Sequence, residues 1–178
     1  MTHYIFDMDG TLFQTNAVLA HALEDVFHEL RQTGRWDGET PLALYQQIMG
    51  VSLPEVWATL LPNFSLAEQQ AADRQFRRSL EHAVKAGHGR LYPGTVGLLT
   101  RLKQTGHSVY IASNGWPSYL SAIVTTYGLE AYIDHIYSIE DIASGDKSAL
   151  VREICKMHDI SSGYVVGDRL SDFKAAHA

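Results

Sequence analysis

In the stretch His3–Phe13, HYIFDMDGTLF, a short apolar run ends in two aspartates separated by a single residue. A buried strand usually stops at a turn residue, and one Asp would be enough for that purpose. Gly-Thr follows Asp9 directly, and two carboxylates in this setting indicate a site that holds a charged group. The stretch therefore predicts a strand that fixes two carboxylates at one end of a sheet.

Three further apolar runs follow the same rule or a weaker form of it. SVYIA ends at Ser113 and Asn114, YVV ends at Gly167 and Asp168, and HIYSI, from His135, is the weakest candidate. Nearly continuous β-branched and aromatic runs of this length suit strands that are buried on both faces. They predict a parallel sheet.

Helical patterns separate these strand candidates. PGTVGLLTRLKQTG, WPSYLSAIVTTYG and DKSALVREICKMH each carry apolar residues at helical spacing, and the first two end in Gly. Strands that alternate with helices in this order predict an α/β fold with a Rossmann-like parallel sheet.

The segment 16–89 breaks this alternation, since it contains helix signals and no convincing strand. Its first part carries an apolar stripe at helical spacing, from Val18 to Leu30. We therefore expect residues 1–15 and 90–178 to form the Rossmann-like core, and residues 16–89 to form an inserted all-helical cap.

The last strand candidate, YVV, is followed only by GDRLSDFKAAHA. In this topology the strand lies at a sheet edge, although its sequence is typical of a buried strand. A further strand would normally cover such an edge. The pattern thus predicts a core whose C-terminal strand is missing.

The composition limits the kinds of partner that this protein is expected to bind. The 178 residues are 46% hydrophobic and carry a formal charge of −6, with no basic cluster, which argues against a nucleic-acid partner. No apolar run approaches the ~18 residues of a membrane span. A single cysteine, Cys155, and no visible signal peptide predict a cytoplasmic location.

The unusual polar residues all follow strand candidates or open the helices after them. In parallel α/β sheets this edge binds the ligand. Several carboxylates on one edge repel each other unless a cation or protons compensate. A hard divalent ion with oxygen ligands, Mg²⁺, is the expected compensator, and it usually brings a phosphate group with it.

These motifs together resemble the haloacid dehalogenase-like hydrolases over almost the whole chain, in particular the phosphoglycolate phosphatase-like subgroup with a helical cap. The four matching motifs are DMDGT, the Ser of IASN, the Lys of GDKSAL, and GDRLSD. The resemblance implies that Asp7 is the nucleophile and Asp9 the general acid and base. It also implies a Mg²⁺-dependent phosphatase that forms an aspartyl-phosphate and acts on a small phosphorylated metabolite.

The remaining roles follow from the same resemblance. Ser113, Asn114 and Lys147 would bind the transferring phosphoryl group. The metal would be held by Asp7, the backbone carbonyl of Asp9, Asp168 and Asp172.

Alternative functions stay open at this level. Dehalogenases of the family lack the second aspartate of the first motif, so Asp9 argues against dehalogenation. A phosphosugar mutase uses the same aspartates, a nucleosidase would not need Asp7 for phosphate release, and a truncated, non-catalytic protein would bind Mg²⁺ without turnover. The sequence leaves the substrate and the choice between monomer and homodimer undecided.

Overall fold

The structure is a computed structural model that describes residues 1–49 and 51–178. Its four strands are β1 (His3–Phe6), β2 (Ser108–Ser113), β3 (His135–Ser138) and β4 (Gly163–Val166). Its helices are α1 (Asn16–Gln32), α2 (Leu42–Gln47), α3 (Leu53–Leu60), α4 (Leu66–Lys85), α5 (Thr95–Gln104), α6 (Pro117–Thr126), α7 (Lys147–Met157) and α8 (Leu170–Ala176), with a 3-10 turn at Ile139–Asp141.

The four strands form one parallel sheet in the order β3-β2-β1-β4. The chain runs outward from β1 through β2 to β3 and then returns to place β4 on the other side of β1. This reversal beside β1 is the topological switch point, where open α/β sheets bind their ligands. The predicted Rossmann-like α/β fold is confirmed.

Residues of β1 and β2 alternate between two buried faces. One core cluster lies between the sheet and two helices. It contains Ile5 of β1, Tyr110 and Ala112 of β2, Leu150, Val151 and Ile154 of α7, and Ala175 of α8. Phe6 follows Ile5 and points to the opposite face, where it is also buried. Burial on both faces explains why these strands are continuous apolar runs.

Strand β4 lies at the edge of the sheet, as its position in the chain predicts. Its burial does not follow the prediction, because Gly163 and Tyr164 are exposed, Tyr164 to 59%. The physical reason is that β4 pairs only with β1 in the described sheet, so the outer side of this strand faces solvent.

The described residues divide into two compact units, residues 1–15 with 89–178, and residues 16–88. The second unit contains only helices among its described elements, α1 to α4. Helices α1 and α3 both pack on α4. The α1 stripe from Val18 to Phe27 is buried, as its spacing predicts.

Three aromatic rings, one from each of α2, α3 and α4, pack together in the core of the helical unit. Phe76 of α4 is 1% exposed and packs edge-on against Trp57 of α3, with ring centroids 5.7 Å apart. The Tyr45 ring of α2 lies 5.6 Å from the same Phe76 ring. The indole N–H of Trp57 donates to Asp73 at 2.9 Å, which satisfies the polar atom of this buried ring.

Replacing Phe76 by Ala should lower the free energy of unfolding by about 3–5 kcal/mol, because the cavity left between three helices cannot fully collapse. The measurement is urea denaturation followed by circular dichroism. Leu66→Ala on the same helix is the matched control, since Leu66 is 67% exposed. It should change stability by no more than about 0.5 kcal/mol. Equal losses in the two variants would contradict the assigned core.

Candidate active site

Asp7 is held where β1 leaves the sheet. Its backbone N–H donates to the carbonyl of Val166 at 2.8 Å, so the ladder with β4 continues one residue beyond the strand. The Asp7 residue is 5% exposed. The strand therefore positions a buried carboxylate beside the switch point of the sheet.

A tight turn follows Asp7 and reverses the chain. The carbonyl of Met8 accepts the N–H groups of Thr11, Leu12 and Phe13, at 3.3, 3.0 and 2.9 Å. Gly10 has a φ of +86°, and a Cβ on it would collide with Asp168 Oδ2. A glycine is therefore required here, both for the backbone conformation and for the close approach of a carboxylate.

Lys147 reaches this edge from the first position of α7. It is 6% exposed, and its Nζ donates to Asp7 Oδ1 at 2.6 Å while also contacting Asp172 Oδ1. Asp146 caps the helix, because its side chain accepts the N–H groups of Ser148 and Ala149 at 3.1 and 3.2 Å. The cap fixes the helix start that delivers the ammonium.

Three carboxylates meet in this place. Asp7, Asp168 and Asp172 each offer one oxygen, and these oxygens lie within 4.8 Å of one another. Asp172 Oδ2 accepts the backbone N–H of Arg169 at 3.0 Å. The buried Asp172 Oδ1 contacts Lys147 without hydrogen-bond geometry and accepts no hydrogen bond from the described residues. An all-oxygen set with such an oxygen fits a hard divalent cation.

Burial raises the pKa of Asp7 from 3.8 to about 7. The Lys147 ammonium acts in the opposite direction and lowers the pKa, but the loss of hydration is the larger effect. The neighbouring Asp9 and Asp172 raise the pKa slightly further. Lys147 alone thus does not compensate the buried negative charge.

Asp9 lies in a different environment from Asp7. Its Oδ1 accepts the Thr15 hydroxyl at 2.5 Å and the Tyr119 hydroxyl at 2.6 Å. Burial raises the pKa of Asp9, partly against these two hydrogen bonds. The Asp9 carboxylate does not belong to the three-carboxylate cluster. The two aspartates therefore differ in their partners. Asp7 is paired with an ammonium, whereas Asp9 accepts hydrogen bonds from two neutral hydroxyls.

The two predicted phosphate-binding residues at the end of β2, Ser113 in the strand and Asn114 directly after it, differ in burial. Ser113 is 1% exposed, and its Oγ accepts the N–H of Gly115 at 3.1 Å. Asn114 is exposed in the same loop. The carbonyl of Gly115 accepts the Ser138 hydroxyl at 2.7 Å, which ties this loop to the end of β3.

The structure thus brings Asp7, Lys147, Asp168 and Asp172 together, and sets Asp9 beside them in the chain with its own partners. Sequence reasoning missed Thr15 and Tyr119 as those partners. One signal was present for Tyr119, because it lies in the apolar pattern of α6 and a buried tyrosine hydroxyl needs a polar partner. The apolar pattern of α6 does not show which residue accepts the hydrogen bond from this hydroxyl.

With the geometry established, comparison with known proteins assigns the family. The model of the haloacid dehalogenase-like hydrolase family matches residues 4–178. The chain therefore belongs to the haloacid dehalogenase-like hydrolases, as its four motifs predict. No match is found among curated proteins. Within the described residues, no helix combines the length and the apolar character that a bilayer crossing requires.

Solved structures support the same fold. A predicted phosphoglycolate phosphatase from Haemophilus somnus has a TM-score of 0.82 at 19% identity, over 99% of this chain and 81% of that one. CbbY from Rhodobacter sphaeroides, in complex with phosphate, has a TM-score of 0.79 at 19% identity, over 99% and 82%. A haloacid dehalogenase-like protein, SP0104 from Streptococcus pneumoniae, has a TM-score of 0.78 at 21% identity, over 99% and 80%.

Lys147→Met should destabilise the protein by about 3–5 kcal/mol at pH 8 in EDTA, because it leaves buried carboxylates without their cation. Chemical denaturation measures this loss. Lys103→Met is the matched control, since Lys103 forms a half-exposed ion pair with Asp134 at 2.6 Å. That pair should contribute no more than about 1 kcal/mol. A Lys147→Met variant as stable as the control would contradict the assigned role.

The raised pKa of Asp7 also predicts a pH dependence. Between pH 4 and about 7 the folded protein keeps a proton on Asp7 that the unfolded chain has lost. Stability in EDTA should therefore fall as pH rises through this window. Asp7→Asn removes the titrating group, so its melting temperature should fall less between pH 5 and pH 8.

The exposed Asp25→Asn provides the control, because it removes one carboxylate without touching the buried cluster. Its pH profile should follow that of the unmodified protein. A wild-type profile that rises from pH 5 to pH 8 in EDTA, with Asp7→Asn flat, would reverse the predicted sign.

Proposed function

We propose that this protein is a Mg²⁺-dependent phosphatase that hydrolyses a small phosphomonoester through an aspartyl-phosphate on Asp7. The observation that carries the proposal is the contrast between the two aspartates of the first motif. Asp7 faces an ammonium within a cluster of carboxylates, whereas Asp9 accepts hydrogen bonds from two hydroxyls. The ammonium, together with a bound cation, would keep Asp7 ionised as a nucleophile, whereas the surroundings of Asp9 suit a carboxyl that carries a proton.

The residues fit a bound Mg²⁺. The carboxylates of Asp7, Asp168 and Asp172 would hold the ion, with the backbone carbonyl of Asp9 as a further oxygen ligand. When bound, the ion would neutralise charge on the phosphoryl oxygens and keep Asp7 ionised.

In the first half of the reaction, an Asp7 oxygen forms a bond to phosphorus as the bond to the leaving oxygen breaks. Asp9 gives its proton to that leaving oxygen, so that the alcohol departs neutral. In the second half, Asp9 accepts a proton from the water that attacks the aspartyl-phosphate. Inorganic phosphate leaves and Asp7 is regenerated as a carboxylate.

Two groups would stabilise the transferring phosphoryl group. The Ser113 hydroxyl accepts the N–H of Gly115, so its own hydrogen can donate to a phosphoryl oxygen. The Lys147 ammonium supplies positive charge from its buried position beside Asp7. Asn114, exposed in the same loop as Ser113, would contact the phosphate from the solvent side.

We assign the role of substrate-selecting cap to the helical segment, predicted as residues 16–89 and compact over residues 16–88. It is inserted in the chain a few residues after Asp9, which supports a role close to the chemistry. The phosphate in the CbbY structure and the phosphatase description of the Haemophilus protein support a small phosphorylated substrate.

Hydrolysis of p-nitrophenyl phosphate tests this proposal. The protein should release p-nitrophenol with Mg²⁺ and should lose the activity in EDTA. Asp7→Asn should lower kcat by at least about a thousandfold, because it removes the nucleophile. Asp25→Asn, an exposed substitution of the same type, should retain the wild-type rate.

Three results would count against the phosphatase. They are no turnover by the folded wild-type protein, turnover that EDTA leaves unchanged, and an Asp7→Asn variant as active as the wild type. The melting temperature of each variant, measured in parallel, separates loss of chemistry from loss of folding.

A further inference from the structure

Tyr119 is a buried tyrosine whose hydroxyl reaches the acid–base aspartate. It is 1% exposed, lies in the first turn of α6, and donates to Asp9 Oδ1 at 2.6 Å. The two residues are 110 positions apart in the chain. The contact therefore links two segments of the core that sequence order alone does not relate.

The ring of Tyr119 packs against two residues that precede it in the chain. The ring of Trp116 lies 4.9 Å away, centroid to centroid. Gly115 also lies close, since an added Cβ there would be 2.9 Å from Tyr119 Cδ1 and 3.0 Å from Leu120 Cδ2. Only a residue without a side chain permits this approach.

Gly115 is itself held by two hydrogen bonds. Its N–H donates to Ser113 Oγ at 3.1 Å, and its carbonyl accepts the Ser138 hydroxyl at 2.7 Å. The loop that presents Ser113 therefore also sets the position of the Tyr119 ring. Contacts through Gly115 and Tyr119 thus connect Ser113, which is expected to bind phosphate, with Asp9, which is expected to donate a proton.

The two hydroxyl donors converge on one oxygen of Asp9. Thr15 and Tyr119 both donate to Oδ1, at 2.5 and 2.6 Å. A carboxyl oxygen that accepts two hydrogen bonds is poorly suited to carry the proton as well. In the protonated acid the hydrogen is thus directed to Oδ2.

We propose that Tyr119 is a positioning residue for proton transfer, which reserves Asp9 Oδ1 as an acceptor and so places the transferable proton on Oδ2. This inference rests on the proposed phosphatase function. During phosphoryl transfer to Asp7, the bond between phosphorus and the leaving oxygen breaks and its electron pair stays on that oxygen. The Oδ2 proton moves to it, and Asp9 is left as a carboxylate.

A purely structural role predicts a different result from a positioning role. A buried tyrosine always needs a partner for its hydroxyl, and Asp9 could serve only that purpose. In that case, loss of the hydroxyl would alter stability, or would slow all substrates alike. A positioning role instead makes the cost depend on how much the leaving oxygen needs a proton.

The test compares kcat/KM for phenyl phosphate and p-nitrophenyl phosphate in Tyr119→Phe. The two esters have a similar shape, but p-nitrophenolate is the more stable anion and needs less help from an acid. Because general acid catalysis contributes about 10²–10⁴-fold, Tyr119→Phe should lower kcat/KM for phenyl phosphate at least about tenfold more than for p-nitrophenyl phosphate. The aromatic ring and its contact with Trp116 are retained in this variant.

Two further variants make the result specific. Tyr110→Phe removes another buried tyrosine hydroxyl, whose contact is His3 Nδ1 at 3.4 Å, and should change both esters by the same factor. In an Asp9→Asn background, Tyr119→Phe should add no further selective loss for phenyl phosphate, because the proton it positions is absent.

The outcomes separate this inference from the proposed function. Equal factors for the two esters in Tyr119→Phe, or a selective loss that persists in Asp9→Asn, would overturn the positioning role while the phosphatase stands. A folded wild-type protein that hydrolyses neither ester would overturn the phosphatase and the positioning role together. Selective loss in Tyr119→Phe alone, absent from Tyr110→Phe, supports the role of Tyr119.

Discussion

The burial of carboxylates at the end of β1, against a single ammonium, is the constraint on which the structure of the site depends. Asp7, Asp172 and Lys147 are each less than 10% exposed, so none of these charges is solvated as it would be in water. Lys147 contacts both carboxylates, yet burial still raises the pKa of Asp7. Such an arrangement costs stability, and a further bound cation would offset that cost. Buried carboxylates with a shifted pKa are typical of functional sites.

The short turn after β1 gives two residues of the same type two different surroundings. Asp7 continues the sheet ladder and stays with the ion pair, whereas the turn closed on the Met8 carbonyl carries Asp9 to Thr15 and Tyr119. In a continuing strand, residues two apart would point to the same face, so the turn is what separates the two carboxyls. Two carboxyl groups in different surroundings can therefore be built into one short segment.

The helical insertion does not disturb this geometry, because the chain leaves and re-enters the core at one place. The N–H of Gln14 donates to the carbonyl of Arg90 at 2.9 Å, and the N–H of Tyr92 donates to the carbonyl of Leu12 at 2.9 Å. These two antiparallel hydrogen bonds join the residues just before the insertion to those just after it, and all four residues belong to the core. A segment of more than seventy residues can then be inserted at this point of the chain without relying on its own structure to hold Asp7.

The strands, the parallel sheet and the set Asp7, Lys147, Asp168 and Asp172 can be predicted from the sequence, because apolar runs, turn residues and helix starts are local signals. The rule that ligands bind at strand ends then predicts those side chains on one edge. The contact of Tyr119 with Asp9 cannot be predicted in this way, because it depends on how α6 packs and not on any spacing. The tertiary structure decided that contact and also the exposure of β4, since the apolar run alone does not reveal how many neighbours a strand will have.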